Sequence, residues 1–297
     1  VAKTFELDKR CKGDEAALLF TSGSSGEPKG VPITHKMILS NTAQLLSKVW
    51  IPEGSPILCS LPIFHSLGLA FTTIMPLIYG FGMVTYPSPL EAKNLNELIE
   101  KHKCTVVLST PTFARSMLRR AKKDTYASVK YFVVGAEKLQ QALFDEFMEK
   151  CGVQLLEGYG LTETCPIAAV TPEYDTRVGA AGKIIVNGAV RVSNPDEKGD
   201  GELVLSTDTL MMGYYEDEAA TNDVIEVDEN GRRWFYTGDI GHVDEDGFVY
   251  ITGRIKNVIV TQNGKNIYPE ELEQLIMENH DFADCMVYGK EVPGEQE

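Results

Sequence analysis

TVVLSTPTFARSMLRRAKKDTYASVKYFVVGAEKLQQALFDEFMEKCGVQLL, residues 105–156, carries the pattern that decides the fold. Its first four residues (105–108) form a short apolar run of the kind that makes a buried strand. Thr110 followed by Pro111 is an N-cap and first-turn signal, predicting a helix to about residue 122. YFVVG (131–135) reads as a second buried strand. Leu139, Leu143, Phe144 and Phe147 then recur at helical spacing, and Gly152 supplies a helix end. VQLL (153–156) reads as a third strand. This strand–helix alternation predicts a mainly parallel sheet with helices on both faces.

Upstream, no Asp, Glu, Lys or Arg occurs from Gly54 to Leu90. A membrane helix needs about 20 predominantly apolar residues. Here Pro62, Gly68, Pro76, Gly80 and Gly82 interrupt the run, and Ser60, Ser66, Thr72 and Thr73 dilute it. The run is expected to be strand (57–61), helix (about 67–79) and strand (83–86) inside an α/β core, with no integral membrane segment. Downstream of about Val178, short β-rich runs (182–186, 202–206, 247–252) alternate with Gly, Asp and Asn, predicting a small antiparallel barrel or sheet. Beyond Gly253-Arg254 a hairpin is expected around Gln262-Asn263-Gly264, then a helix opened by Pro269.

The 297 residues include 28 Lys and Arg against 43 Asp and Glu, a net charge of −15. That balance argues against sequence-independent nucleic-acid binding, which needs a basic face. The six cysteines lack CxxC spacing and the five histidines do not cluster with them. Neither a zinc site nor a disulfide framework is expected, and scattered thiols suit a reducing cytoplasm.

The segment with the most chemical content is LLFTSGSSGEPKGV (18–31). A strand enters a loop in which Gly23, Gly26 and Gly30 expose backbone N–H groups. Thr21, Ser22, Ser24 and Ser25 offer hydroxyls, and Lys29 adds a cation: a polyphosphate cradle. It is not a Walker loop, because Lys29 stands between Pro28 and Gly30. A flexible linker is the competing reading, and the order Pro, Lys, Gly directly after a buried strand speaks against it.

With this loop, EGYGLTET (157–164), YTGDIG (236–241) and GRIKNVI (253–259) in the same order, the chain resembles the adenylate-forming enzymes, which include acyl-CoA synthetases, luciferases and nonribosomal adenylation domains. The resemblance implies an ATP-binding α/β core (1–180), a β-rich subdomain (181–253) and the start of a small mobile α+β C-terminal domain (254–297). The loop, including Gly23, Ser24, Ser25, Gly26 and Lys29, would grip the β- and γ-phosphates of ATP. Gly135, Ala136, Glu137 and Tyr159 would frame adenine, with the Tyr159 ring on the base and Gly160 beside it. Thr162 would bond the α-phosphate and Glu163 would hold Mg²⁺. Asp239 and Arg254 would reach the ribose, Lys256 would sit at the hinge, and Gly264 would line the pantetheine tunnel. Bottom-up chemistry agrees, since carboxylates accept from a diol and bind magnesium beside phosphates. The plainer alternatives are a core tyrosine at 159, a turn cap at Asp239, and solvated side chains at Glu163, Arg254 and Lys256.

The implied reaction has two halves. A carboxylate attacks the α-phosphorus of ATP, giving an acyl adenylate and pyrophosphate; a thiol then expels AMP. LPIFHSLG (61–68) resembles the acyl-CoA synthetase form of a motif in which amino-acid-activating members carry Phe-Asp. Phe64-His65 offers no anion to an ammonium, which argues against amino acids; the uncharged run around it suits an apolar pocket, and a medium- or long-chain fatty acid is expected, with His65 near the acyl pocket or merely structural. NGKNIYPEELE (263–273) resembles fatty acyl ligases, and FVVGAEKL (132–139) resembles acyl–acyl-carrier-protein synthetases. The acceptor is therefore coenzyme A or a carrier protein's phosphopantetheine arm. Alternatives are an aryl- or other small-acid ligase and a non-catalytic nucleotide-binding module.

Only seventeen residues precede Leu18, and no Pro-x-x-x-x-Gly-Lys segment follows the hinge. Against the family pattern, that leads to the expectation of a core cut at both ends, from Val1 on, that adenylates poorly by itself.

Overall fold

In the computed structural model, residues 14–22, 28–260, 266–277 and 285–289 are described. Strands β1 (Glu15–Ser22) and β2 (Pro28–Thr34) form an antiparallel hairpin, with Thr21 opposite Lys29. Thr34 then caps helix α1 (His35–Leu46), its hydroxyl accepting the Met37 N–H at 3.1 Å.

A second, twelve-stranded sheet dominates the molecule. Its first five strands are β3 (Pro56–Cys59), β4 (Gly82–Thr85), β5 (Val106–Ser109), β6 (Tyr131–Gly135) and β7 (Leu155–Gly160). They lie in the order β7-β6-β5-β3-β4, and every ladder among them is parallel. Between β3 and β4 come helices α2 (Ser66–Leu69) and α3 (Met75–Tyr79), joined by a π turn over Ala70–Ile74. The expected single helix is thus widened at its middle, where the Thr72 and Thr73 hydroxyls both donate to the Gly68 carbonyl. Helices α4 (Ala92–His102), α5 (Pro111–Arg120) and α6 (Gln141–Cys151) cross between the later strands. They pack Leu95, Ile99, Met117, Leu143 and Phe147 with Leu58, Phe132 and Leu155 on one face of the sheet. Phe71, Met75 and Leu45 cover Ile57, Val106 and Leu156 on the other. This is the flanked α/β layer the alternation predicts, and Thr110 caps α5 as expected, though the helix stops at Arg120.

One expectation is corrected. The strand placed at 153–156 runs instead from Leu155 to Gly160, so the glycine motif itself is strand. Gly152, left-handed at φ 66°, turns the chain out of α6, and pairing starts only where Leu155 meets Phe132. The β-rich half is antiparallel, and of the barrel or sheet expected there it is a sheet. The strands β8 (Ile167–Val170), β9 (Ala180–Ile184), β10 (Ala189–Ser193), β11 (Gly201–Ser206), β12 (Ile225–Val227), β13 (Arg233–Val243) and β14 (Phe248–Arg254) extend the same sheet, with helix α7 (Glu218–Val224) leading into β12. The join is β7–β8, where the chain reverses after Gly160 and pairs back on itself. Strands β15 (Ile259–Val260) and β16 (Asn266–Ile267) pair as the expected hairpin's arms, and helix α8 (Pro269–Met277) follows. No helix among the described residues is long and apolar enough to cross a membrane.

Candidate active site

Side chains far apart in sequence meet at this site, although the strands β7 and β13 that carry two of them are not paired with each other. Tyr159, on β7, is 8% exposed and donates its hydroxyl to Asp239 Oδ2 at 2.6 Å. Asp239, on β13, is 2% exposed. The β13–β14 register sets it opposite Arg254, whose Nε lies 2.8 Å from Oδ1. The Asp239 N–H donates to the Thr237 hydroxyl, which itself donates to the Leu203 carbonyl. Burial raises the Asp239 pKa, and the Arg254 charge, the Tyr159 hydroxyl and the Lys256 charge oppose that rise. Burial, reinforced by Asp239, pushes the Tyr159 phenol well above its ordinary value. Tyr159 also packs in a core cluster with Ala168, Leu203 and Val249.

Thr162 and Glu163 lie on a single 3₁₀ turn (Thr162–Thr164) directly after β7. Gly160 is required just before it, because a Cβ there would lie 1.8 Å from the Pro166 carbonyl oxygen. Glu163 is buried, not solvated, and accepts the Tyr214 hydroxyl at 3.0 Å. Burial raises its pKa and Asp239 adds to this, while Tyr214 and Arg254 lower it. A single hard oxygen donor of this kind fits Mg²⁺, which commonly takes one or two carboxylates and shares the rest of its shell with water and phosphate. Among the described residues, no group of three or more acid, histidine or cysteine side chains is placed to hold a metal by itself.

Lys29 projects from β2 with Nζ 4.8 Å from the centre of the Tyr214 ring. Tyr214 therefore touches both Lys29 and Glu163, and sequence reasoning missed it. The available signal was Gly213-Tyr214-Tyr215, an aromatic pair after a glycine. The Tyr215 N–H donates to the Gly30 carbonyl, strapping that segment to β2. Thr21 lies on β1 and Ser22 ends it; Gly23, Ser24, Ser25 and Gly26 lie outside the described residues, as does Gly264.

Gly135 ends β6 beside Gly158, and a Cβ on it would come within 2.8 Å of the Gly158 carbonyl oxygen. Ala136 then takes φ 68°, a costly conformation for a residue with a Cβ. The Glu137 carboxylate turns to the start of α5, accepting the Thr112 N–H and hydroxyl at 3.1 and 2.6 Å. Lys256 is exposed on the turn Ile255–Asn257, near enough for its charge to act on Asp239. The His65 Nδ1 accepts the Leu67 N–H at the start of α2, and burial lowers its pKa.

Residues 3–215 match the family model described as AMP-binding enzyme. The chain is 32% identical over 302 residues to 4-coumarate–CoA ligase 3 of Arabidopsis thaliana, covering 95% of this chain and 53% of that protein. It is 31% identical over 288 residues to a long-chain-fatty-acid–CoA ligase of Mycobacterium tuberculosis, covering 94% and 56%. Among solved structures, an o-succinylbenzoate coenzyme A synthetase from Bacillus subtilis, in complex with ATP and magnesium ion, superposes with a TM-score of 0.84 at 27% identity, covering 95% of this chain and 59% of that one. The chain thus spans about half the length of the curated relatives it matches.

Proposed function

The chain belongs to the AMP-binding enzyme family, and from that premise we propose that it carries the nucleotide site of an ATP-dependent acid–thiol ligase acting on a fatty carboxylic acid. The observation that carries the reading is the convergence of Tyr159 and Glu163, from one segment, with Asp239 and Arg254, from two others, into one ionically coupled group whose carboxylates are buried.

In this reading Asp239 accepts from the ribose hydroxyls, and Arg254 keeps its carboxylate charged and reaches the same sugar. Gly135, Ala136 and Tyr159 bound the adenine. Thr162 donates to the α-phosphate, while Lys29 and the glycine–serine loop meet the β- and γ-phosphates. Glu163 holds Mg²⁺, which when bound offsets the charge that builds on the phosphates. The acid's carboxylate oxygen attacks the α-phosphorus, and pyrophosphate leaves. The sulfur of coenzyme A, or of a carrier protein's phosphopantetheine arm, then attacks the acyl carbonyl and AMP leaves. Lys256 lies at the hinge between an ATP-binding core (1–180) with its β-rich subdomain (181–253) and the C-terminal part (254–297). Thiols at Cys59, Cys104, Cys151 and Cys165 suit a cytoplasmic setting.

The uncharged stretch from Gly54 to Leu90, with Phe64-His65 in place of an acidic residue, supports an apolar acid. An aryl acid is the second reading, favoured by the similarity to a 4-coumarate ligase. Pyrophosphate exchange by the intact protein against fatty, aromatic and amino acids tests both. Fatty acids are expected to lead; aromatic acids outrunning every fatty acid would reverse the assignment.

A further inference from the structure

Glu157 has no part in the site as described so far, and its environment is unusual for a carboxylate. It sits inside β7, 6% exposed, two residues before Tyr159. Its backbone carbonyl accepts the Thr171 N–H. Its two side-chain oxygens accept from two separate segments: Oε1 takes the Leu139 N–H at 3.0 Å, and Oε2 takes the Gly179 N–H at 2.7 Å. Leu139 belongs to the segment after β6 that includes Ala136 and Glu137. Gly179 belongs to the segment before β9 and takes φ +85°.

We propose that Glu157 is a positioning residue, whose carboxylate clips the segment 136–139 to the segment 171–179 and so fixes the edge against which the nucleotide's base lies. This rests on the nucleotide-binding reading above. The geometry favours a carboxylate over any other side chain of its size. Two N–H donors from separate segments need two acceptors, and an apolar residue would leave both donors buried and unpaired. A glutamine offers one oxygen and turns an NH₂ toward the other donor. The other end of the 136–139 segment is fixed independently by Glu137 on Thr112. With both ends held, Gly135 and Ala136 are presented at the end of β6 in one conformation, the preorganisation that tight recognition needs.

The charged groups on the elements around Glu157 are few. Lys138, on the clipped segment, favours the charged form, and its chain passes within 3.6 Å of where a Cβ on Gly179 would lie. Glu137 is committed to Thr112. Glu173 lies on the 171–179 segment, as do Asp175 and Arg177, and the Arg177 guanidinium is engaged by Asp175, Asp244 and Asp246. Burial therefore dominates, and pushes the Glu157 pKa up to about 7. The clip is closed in the ionised form and loosens when a proton occupies one oxygen.

The test is ATP binding by calorimetry from pH 6 to 8.5 on the protein and on Glu157→Gln. Hydrogen exchange of the Leu139 and Gly179 amides runs alongside on the unaltered protein, corrected for intrinsic exchange. The substitution is expected to weaken ATP binding about tenfold at pH 8. That ratio should shrink toward one at pH 6, where the native side chain is itself protonated, and both amides should lose protection over the same range. Equal affinity of the two proteins at pH 8 overturns the clip and leaves the nucleotide site standing. So does a weakening of the same size at every pH. Should the variant not fold, exchange decides alone: protection unchanged between pH 8 and 6 overturns the proposal. Absence of ATP binding by the unaltered protein overturns the nucleotide reading, and the clip with it.

Discussion

The two halves of the large sheet contribute to the candidate site in different ways. Two strands of the parallel half, β6 and β7, end in glycine, Gly135 and Gly160, and β7 carries Gly158 beside Gly135. The parallel half presents backbone at these strands' carboxyl ends, where open α/β sheets place their ligands. The antiparallel half contributes ionised side chains, Asp239 and Arg254, paired across β13 and β14. The parallel half is therefore sensitive to added bulk, and the antiparallel half to altered charge. Each can be broken without touching the other.

The largest effect is expected from bulk in the parallel half. A methyl group on Gly160 meets the Pro166 carbonyl oxygen at 1.8 Å, and that atom is backbone, unable to swing aside. Gly160→Ala should cost about 3 kcal/mol or more, measured by urea denaturation. Gly152→Ala is the contrast. A Cβ there meets nothing within 4 Å, so only the strain of φ +66° is felt, about 1 kcal/mol. Similar losses at the two positions would remove steric closeness as the property that defines this edge.

A comparable effect arises from Glu157 through pH. Its pKa rises from 4.5 in the unfolded chain to about 7 in the fold. Between those values the unfolded chain is ionised while the folded protein holds the proton, so the folded state binds more protons. Stability therefore falls as pH rises from about 4.5 to 7, by about 3 kcal/mol from this group, and then levels. Denaturation at stepped pH should show that fall in the native protein and its absence in Glu157→Gln. A carboxylate that costs stability while closing the proposed nucleotide edge would be a trade between folding and function.

In the antiparallel half, Asp239→Asn keeps the volume and removes the charge. Arg254 then loses its partner, and the proposed ribose acceptor becomes weaker and half donor. ATP affinity should fall about 100-fold, two to three kcal/mol, by calorimetry. The stability change should be smaller, because Arg254 is largely open to solvent. An affinity loss below threefold would place the ribose elsewhere.

These contrasts also mark what the sequence could disclose. Strand and helix alternation from 105 to 156 was legible because buried strands and amphipathic helices leave local periodicities. The continuity of the sheet was not, since it depends on the single reversal between Gly160 and Ile167, which no periodicity records. Asp239 and Glu163 stood out through motif resemblance. Their coupling depends on the β13–β14 register that sets Arg254 opposite Asp239, and on the approach of Tyr159 to Asp239, 80 residues away, from a strand not paired with β13. Glu157 sits inside a recognised motif, yet its role depends on two backbone N–H groups, which have no sequence signature. Tyr214 lies in no motif at all.

Tyr214 provides the finest test, because one side chain serves both cation and anion. Its hydroxyl donates to Glu163, and its ring lies under Lys29. Tyr214→Phe removes the first contact and keeps the second. The hydroxyl lowers the Glu163 pKa, which burial has already raised, so its loss raises that pKa further. At pH 7 a larger fraction of Glu163 is then protonated and unable to bind a cation. The magnesium concentration needed for half-maximal pyrophosphate exchange should rise several-fold, about 1 kcal/mol, and recover as pH is raised. Tyr214→Leu removes the ring as well. It should add a loss of ATP affinity that higher pH does not restore, because the Lys29 ammonium loses the surface that holds it over the site. If the two variants behave alike at all pH values, the ring contact contributes nothing, and Lys29 is positioned by the β1–β2 hairpin alone.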